Sequence, residues 1–413
     1  MRKLKTIDRR LLTVLLIVFV QMLGAAMIMP ILPLYAQRAF GMSPQTITLL
    51  ATSFFAAQFI AGPYLGRLSD KVGRLPVLII SQVGTAVSFL MLALAPSVAF
   101  LFVARILDGI TGGNIIVAQA YITDITPREK RTQSLGYIFA VFGLGFIFGP
   151  ALGGILSALF GPRIPYIFAA IAAAIVVLLT WFTLDETLSP EQREANRHFN
   201  KQSVGFAAIM RNSSLLLILL IAFVGQFGMG LLQSTFALFG EAVLFAGYNE
   251  RMVNLGIGVL LTIVGMGQFL TQVFLLPRAL KKYDEAWVLI IGLASRTLGL
   301  LIFAALSTPL LGGAAALLFA MGVGLMMPPL QSLATITVAD ELRGGVLGVY
   351  QSTVSLSTIV STAVAGTIFA LNPNSPYWLG AALSLVVIFP ALVLVRRTGA
   401  GRRKPTAAAA PTD

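Results

Sequence analysis

No cysteine occurs in the 413 residues, and histidine occurs once, at His198. The first absence excludes a disulfide framework, a thiolate metal site and a cysteine nucleophile. The second leaves no multi-histidine metal centre. Charge is scarce too: Asp, Glu, Lys and Arg make up 11% of the chain, where a soluble domain carries about 25%. That shortage argues against a water-soluble enzyme. The chain also lacks a Gly-x-x-x-x-Gly-Lys-Ser/Thr nucleotide loop and any hydrolytic constellation, so no cofactor, metal or ATP-driven chemistry is expected. What fills the chain instead is apolar. Hydrophobic residues are 57% of it and the mean hydropathy is +0.89, a composition that excludes intrinsic disorder.

A bilayer core about 30 Å thick is crossed by about 20 mostly apolar residues in a helix. Twelve such stretches can be counted: residues 11–36, 44–65, 75–95, 98–125, 132–159 and 165–184 in the first half, and 214–239, 253–276, 286–306, 310–338, 344–371 and 377–395 in the second. Lipid offers no partner to free backbone groups, so helices are expected. A barrel would need alternating polar residues, and these runs are apolar on all sides. The first run is too long for a cleaved signal. The expectation is an all-α membrane protein with twelve transmembrane helices.

The net charge of +13 has a topological explanation. Of the 29 lysines and arginines, 24 lie in the two tails and the even-numbered loops; Arg38, Arg163 and Arg251 lie in the opposite loops, and Arg105 and Arg296 lie inside spans. Short cytoplasmic loops carry such an excess. Both tails are therefore expected in the cytoplasm, with the basic residues facing anionic lipid rather than nucleic acid. The polar stretch 185–212 cannot span, and it contains His198, read as a solvated side chain. It divides the chain into a six-helix bundle over 1–184, a cytoplasmic linker over 185–212, a second bundle over 213–397 and a disordered cytoplasmic tail over 398–413.

The two halves repeat. Residues 15–20, followed by Gly24, match 219–224, followed by Gly228, at an offset of 204. Gln58, Phe59 and Lys71 match Gln268, Phe269 and Lys281 at 210, and Arg131, Leu135, Gly136 and Gly154 match Arg343, Leu347, Gly348 and Gly366 at 212. Each match is weak; their common order and near-constant spacing predict two pseudo-symmetric bundles.

Three places carry candidate chemistry. The loop after the second span reads Gly66-Arg-Leu-Ser-Asp70-Lys71-Val-Gly73-Arg74. Its glycines suit a tight turn; Asp70 is placed to hold a cation, and Arg74 can pair with Asp124 at the inner end of the fourth span, forming a latch. Inside that span Arg105 and Asp108 stand three apart, on one helix face. Intramembrane charges face the bundle or a cavity, and protonating Asp108 would release Arg105: either a coupling switch or a static buried pair. In the fifth span Gly145, Gly149, Pro150, Gly153 and Gly154 offer a bend and a close helix approach, as a hinge, a seal or plain packing.

These segments resemble a known family. The Gly-x-x-x-Asp-Lys-x-Gly-Arg loop looks like the signature loop of the major facilitator superfamily. The first-span stretch from Gly24 through Pro30 to Pro33, the fourth-span Arg105-Ile-Leu-Asp108-Gly109, the glycines of the fifth span and Asp185-Glu186-Thr187 resemble the drug/proton antiporter branch, in particular the tetracycline-efflux and multidrug-efflux type. The resemblance covers residues 1–190 closely. It implies two parallel bundles that rock about a midplane site, and it assigns Arg105 a role in proton transfer. One departure stands out: family members often carry an acid where this chain has Gln21, which cannot titrate, so Asp108 is the one acid deep in a span.

A cavity for an amphipathic molecule should be apolar with a few polar groups. Candidates are Gln21, Asn114, Gln119, Gln226, Gln233, Gln331, Tyr350 and Gln351, on the spans that line the cavity in the resembling family. Arg296, on the peripheral ninth span, is expected to snorkel or to sit at a helix interface. The function expected is a monomeric secondary transporter exporting amphipathic small molecules in exchange for protons. An uncoupled or uptake carrier for sugars or metabolites, and a transporter-like receptor or scaffold without flux, remain as alternatives.

Overall fold

The structure is a computed structural model describing residues 9–127, 130–198, 212–305, 308–338 and 343–399. Among these residues the regular structure is all helix. Twelve helices are long and apolar enough to cross a membrane, as the sequence predicts. In chain order the spans are Arg9–Phe40, Pro44–Val72, Arg74–Ala93, Val98–Ile125, Arg131–Phe160, Ile164–Thr183, Ser213–Leu244, Glu250–Lys282, Glu285–Ala305, Pro309–Ile336, Arg343–Leu371 and Ser375–Arg397.

Side chains set several span starts. Ser43, Asn212 and Asn249 each stand in extended backbone and accept a bond from the amide three residues on, which satisfies one of the free donors of a helix start. Pro44 then takes the first helical position, where its missing N–H costs nothing. The fourth span is interrupted at Gly112 and Gly113.

The second span outruns the sequence reading by a full turn and more. It continues to Val72, so Gly66 to Lys71 are helical and the loop shrinks to Gly73. Gly73 has a φ of 113°, a conformation that side chains with a Cβ rarely adopt. Asp70 and Arg74 pair across this turn, which holds the last helical turn in place.

Both ends of the described chain lie at one end of the molecule, here the tail end. Thr183 at the close of the sixth span bonds Thr13 (3.1 Å), and Arg397 reaches Ser213 at the start of the seventh (2.8 Å). Of the linker, residues 190–198 form a short helix ending at His198. Residues 199–211 and the tail from 400 lie outside the described residues.

The two most extensive contacts between the halves are related by the repeat. The fifth span packs on the eighth, and the eleventh packs on the second. At the first crossing a methyl on Gly154 would come within 2.8 Å of the Asn254 carbonyl and 3.2 Å of Gly258. At the second, Gly366 lies against Pro44, Gln45 and Thr48, and its amide donates to the Thr48 hydroxyl (3.1 Å). Gly154 and Gly366 are the repeat partners read at offset 212; Pro44 and Asn254, like Thr48 and Gly258, stand 210 apart. One contact is thus built twice with the halves exchanged.

Candidate functional site

Two adjoining cavities, of about 290 and 520 Å³, lie between the halves and share Met29, Phe142, Phe146 and Gln233. Their walls are apolar and aromatic, as an amphipath site requires. Arg105 and Gln58 border the smaller cavity, Gln226 and Gln268 the larger. Gln58 and Gln268 are repeat partners, so the two cavities are the two halves' versions of one wall.

Arg105 reaches this chamber from the fourth span. Its Nη1 donates to the Asp108 carboxylate at 2.6 Å, and its guanidinium stacks on the Phe54 ring, 4.2 Å from the centroid. A cation–π contact of this kind gains strength away from water. Asp108 itself lies behind the wall, 4% exposed. A pair three apart on one helix face is what the sequence predicts, and the structure adds the aromatic plate that holds its position.

Just beyond the pair, the helix break leaves the Gly112 carbonyl without its helical donor. The amides of Gln21 (3.4 Å) and Gln58 (3.2 Å) both converge on that oxygen. Gln21 is thereby turned away from the chamber. With Asn114 it borders a separate small pocket inside the first half.

The other cavity candidates divide. Gln226 and Gln233 line the chamber, and Gln226 also donates to Thr358 at 3.0 Å. Tyr350 is buried and points its hydroxyl at the sulfur of Met327 (3.9 Å), one residue of the chamber wall. Gln119, Gln331 and Gln351 border neither cavity. Gln58, Gln268, Gln272, Ser234 and Thr362 do, and none of them is among the sequence candidates; the matched pair Gln58/Gln268 is the signal that points to them.

At the tail end Arg74 is the centre of a polar cluster. Its guanidinium bonds Asp70 (2.7 Å), Asp124 (3.1 Å) and the Ser69 hydroxyl (2.7 Å). Asp124 also accepts from Thr187 (3.1 Å). Glu186 supplies what the sequence did not foretell: its carboxylate accepts the amides of Arg74 (2.9 Å) and Leu75 (3.1 Å). It thus caps the third span, where a negative charge meets the positive end of the helix dipole. Gly73 is needed here because any Cβ would collide with this carboxylate. The cluster ties the second, third and fourth spans to the start of the linker; Lys71 is exposed beside it.

At the opposite end Arg38 crosses between the halves. It bonds Glu241 at 2.7 Å, Asn254 at 3.3 Å and Glu250 at 3.5 Å, while Asn254 donates to Ser157 at 3.1 Å. The hydroxyls of Thr52 and Thr362 also meet across the halves, at 3.0 Å. With the mirrored glycine contacts, these close the chamber at the end away from the tails.

The fifth-span glycines serve two neighbours. Gly145, Gly149 and Gly153 recur every four residues and face the first span, where added methyls would come within 2.6 Å of Met22, 2.5 Å of Ala26 and 3.0 Å of Met27. Gly154 faces the eighth span, as does the Pro150 carbonyl, which lies 2.7 Å from where a methyl on Gly258 would sit.

Arg296 does not snorkel. It is wholly buried among the seventh, ninth and tenth spans, against Gly225, Gly228 and Gly322.

A helical membrane protein with two bundles around a central chamber closed at one end has the architecture of a carrier. A family model described as Major Facilitator Superfamily matches residues 14–249 and 231–412. The chain belongs to that superfamily. It is 31% identical to "Tetracycline resistance protein, class C" of Escherichia coli over 93% of this chain and 96% of that protein. It is 29% identical to "Multidrug resistance protein 2" of Bacillus subtilis (strain 168) over 87% and 88%. The fold matches a bacterial homolog of the human lysosomal transporter Spinster, in an inward-facing and unoccupied conformation, at a TM-score of 0.76 and 16% identity, covering 97% of this chain and 100% of that one.

Proposed function

We propose that this protein exports amphipathic small molecules, of the drug or tetracycline-like class, across the cytoplasmic membrane in exchange for protons by alternating access. The observation that carries the reading is the Arg105–Asp108 pair at the wall of a greasy chamber sealed at one end. The bundles over 1–184 and 213–397 act as the rocking bodies of a monomer, joined by the linker over 185–212. The excess of basic residues at the tail end supports cytoplasmic tails, and in that orientation the chamber opens inward, with the Arg38 cluster as its outer closure.

Asp108 is the proton site in this reading. Ionised, it holds Arg105 against Phe54; protonated, it lets go, and the chamber wall rearranges. Proton and substrate then alternate because both act on Arg105. Asp70, Arg74 and Asp124 form a latch that ties the inner ends of three first-half spans, and the relatives named for tetracycline and multidrug resistance support the substrate class. Gln21 favours a second reading, an uncoupled carrier, because the first span offers no acid.

Flux of a fluorescent tetracycline into proteoliposomes, with and without an imposed pH gradient, tests both. Gradient-driven flux lost in Asp108→Asn supports antiport. Flux indifferent to the gradient favours the facilitator. No flux under either condition would leave a receptor.

A further inference from the structure

The charges around the chamber do not balance. Sixteen acids occur in the chain, and among the described residues none borders either cavity. All but Asp108 of the described acids sit at the two ends of the molecule or in the linker. Asp108 stands behind the wall and is already matched by Arg105.

A second guanidinium is present with no acid to match it among the described residues. Arg296 is 0% exposed, and its Nε and Nη2 have no hydrogen-bond partner. Its Nη1 meets only the Met326 sulfur, at 3.7 Å, and the Phe319 ring lies 5.6 Å from its carbon. Among the described residues no acid pairs with it. The guanidinium lies against Gly225 and Gly228, where a methyl on Gly228 would sit 2.7 Å from Nη2. Gln226 and Met229 of the same helix border the larger cavity, as do Val323 and Met327 of the tenth span. The charge is therefore one bare helix backbone away from the chamber.

The repeat shows that packing does not require it. In the first half a methyl on Gly24 would sit 2.7 Å from the Phe89 ring and 3.5 Å from Ala169; in the second a methyl on Gly228 would sit 2.7 Å from Arg296 and 3.7 Å from Gly380. Gly24 and Gly228 are repeat partners, so Phe89 and Arg296 fill corresponding places. An aromatic ring does in one half what an uncompensated cation does in the other. Placing a charge within a span is costly, and this one lends a positive field to a low-dielectric chamber.

Resting on the transport reading above, we propose that the chamber excludes cations, taking neutral amphipaths and weak acids in their anionic form. The test is a series with one three-ring body and three charges: triphenylacetate, triphenylphosphine oxide and methyltriphenylphosphonium. Binding to the full chain in nanodiscs is measured by calorimetry. The acetate and the oxide should bind, and the phosphonium at least tenfold more weakly. Arg296→Phe, which copies the ring that Phe89 provides in the first half, should narrow that gap at least threefold. Should this variant fail to give a monodisperse preparation, Gln233→Glu, which adds an anion to the wall, should raise phosphonium binding at least fivefold. A phosphonium bound as tightly as the oxide overturns the proposal and leaves transport standing. Binding of none of the three overturns the proposal, and the tetracycline flux measurement then decides separately whether the transport reading stands. Ratios unmoved in Arg296→Phe, or in Gln233→Glu, also overturn it.

Discussion

Arg105 and Arg296 show two ways of keeping a guanidinium inside a membrane protein. Arg105 has a carboxylate at 2.6 Å and an aromatic plate; among the described residues the guanidinium of Arg296 has only sulfur and ring partners. A centred charge costs about 2.5–3.5 kcal/mol to insert on translocon scales, so each must be held by what it does. For Asp108 the expected outcome is specific. Asp108→Asn keeps the size and can still accept from Arg105, so expression should stay near normal while gradient-driven flux falls at least tenfold in proteoliposomes. A variant with unchanged gradient-driven flux would remove Asp108 from the coupling. At the tail end Asp70→Asn removes one of the two carboxylates on Arg74. Removing one partner of a partly buried pair leaves the other charge less compensated, which costs more than losing a surface bridge of about 0–1 kcal/mol. Turnover should drop severalfold with little change in apparent affinity, read from initial rates against substrate concentration.

Helices pack here by what they leave out. The first and fifth spans approach through Gly145, Gly149 and Gly153, in the manner of small-residue membrane interfaces. Gly149→Leu would drive a side chain into Ala26 and the Leu23 carbonyl. Overpacking of a closed core costs about 1–3 kcal/mol and sometimes more. This variant should show either a markedly lower melting point by differential scanning fluorimetry or a passive proton leak in dye-loaded vesicles; a normal melting point with tight vesicles would contradict the close contact. Much at this scale is legible in the sequence. Span number and the charged ends follow from hydropathy, and Arg74 with Asp124 follows from two opposite charges at neighbouring helix ends. The chamber wall is not. In a soluble helix the polar face points to water, but these spans are apolar all round, so periodicity does not tell lipid from cavity from core. Gln21, Asn114, Gln119, Gln331 and Gln351 were placed by span alone, and only the helix break at Gly112 explains why Gln21 turns away. In the sequence Glu186 is part of a motif; its capping role depends on the start of the third span lying beside it, far away in the chain.

The molecule as a whole is two bundles held apart by the chamber and together at one end. The Thr52 and Thr362 hydroxyls, 3.0 Å apart across that closure, put their Cβ atoms near disulfide range. Because the chain has no cysteine of its own, Thr52→Cys with Thr362→Cys gives the only thiols present. Oxidation should arrest flux and a reductant should restore it, with the crosslink read as a change in mobility on a denaturing gel; full flux in the crosslinked protein would mean that this end never opens. Gly154 of the fifth span, against the eighth, and Gly366 of the eleventh, against the second, stand on either side of the chamber. Neither bundle can tilt about one of these crossings without sliding or lifting at the other. A bulky group lodged at either crossing, whether an engineered side chain or the fingertip of an antibody loop, would prop the carrier ajar at both and stop the cycle from a point remote from substrate.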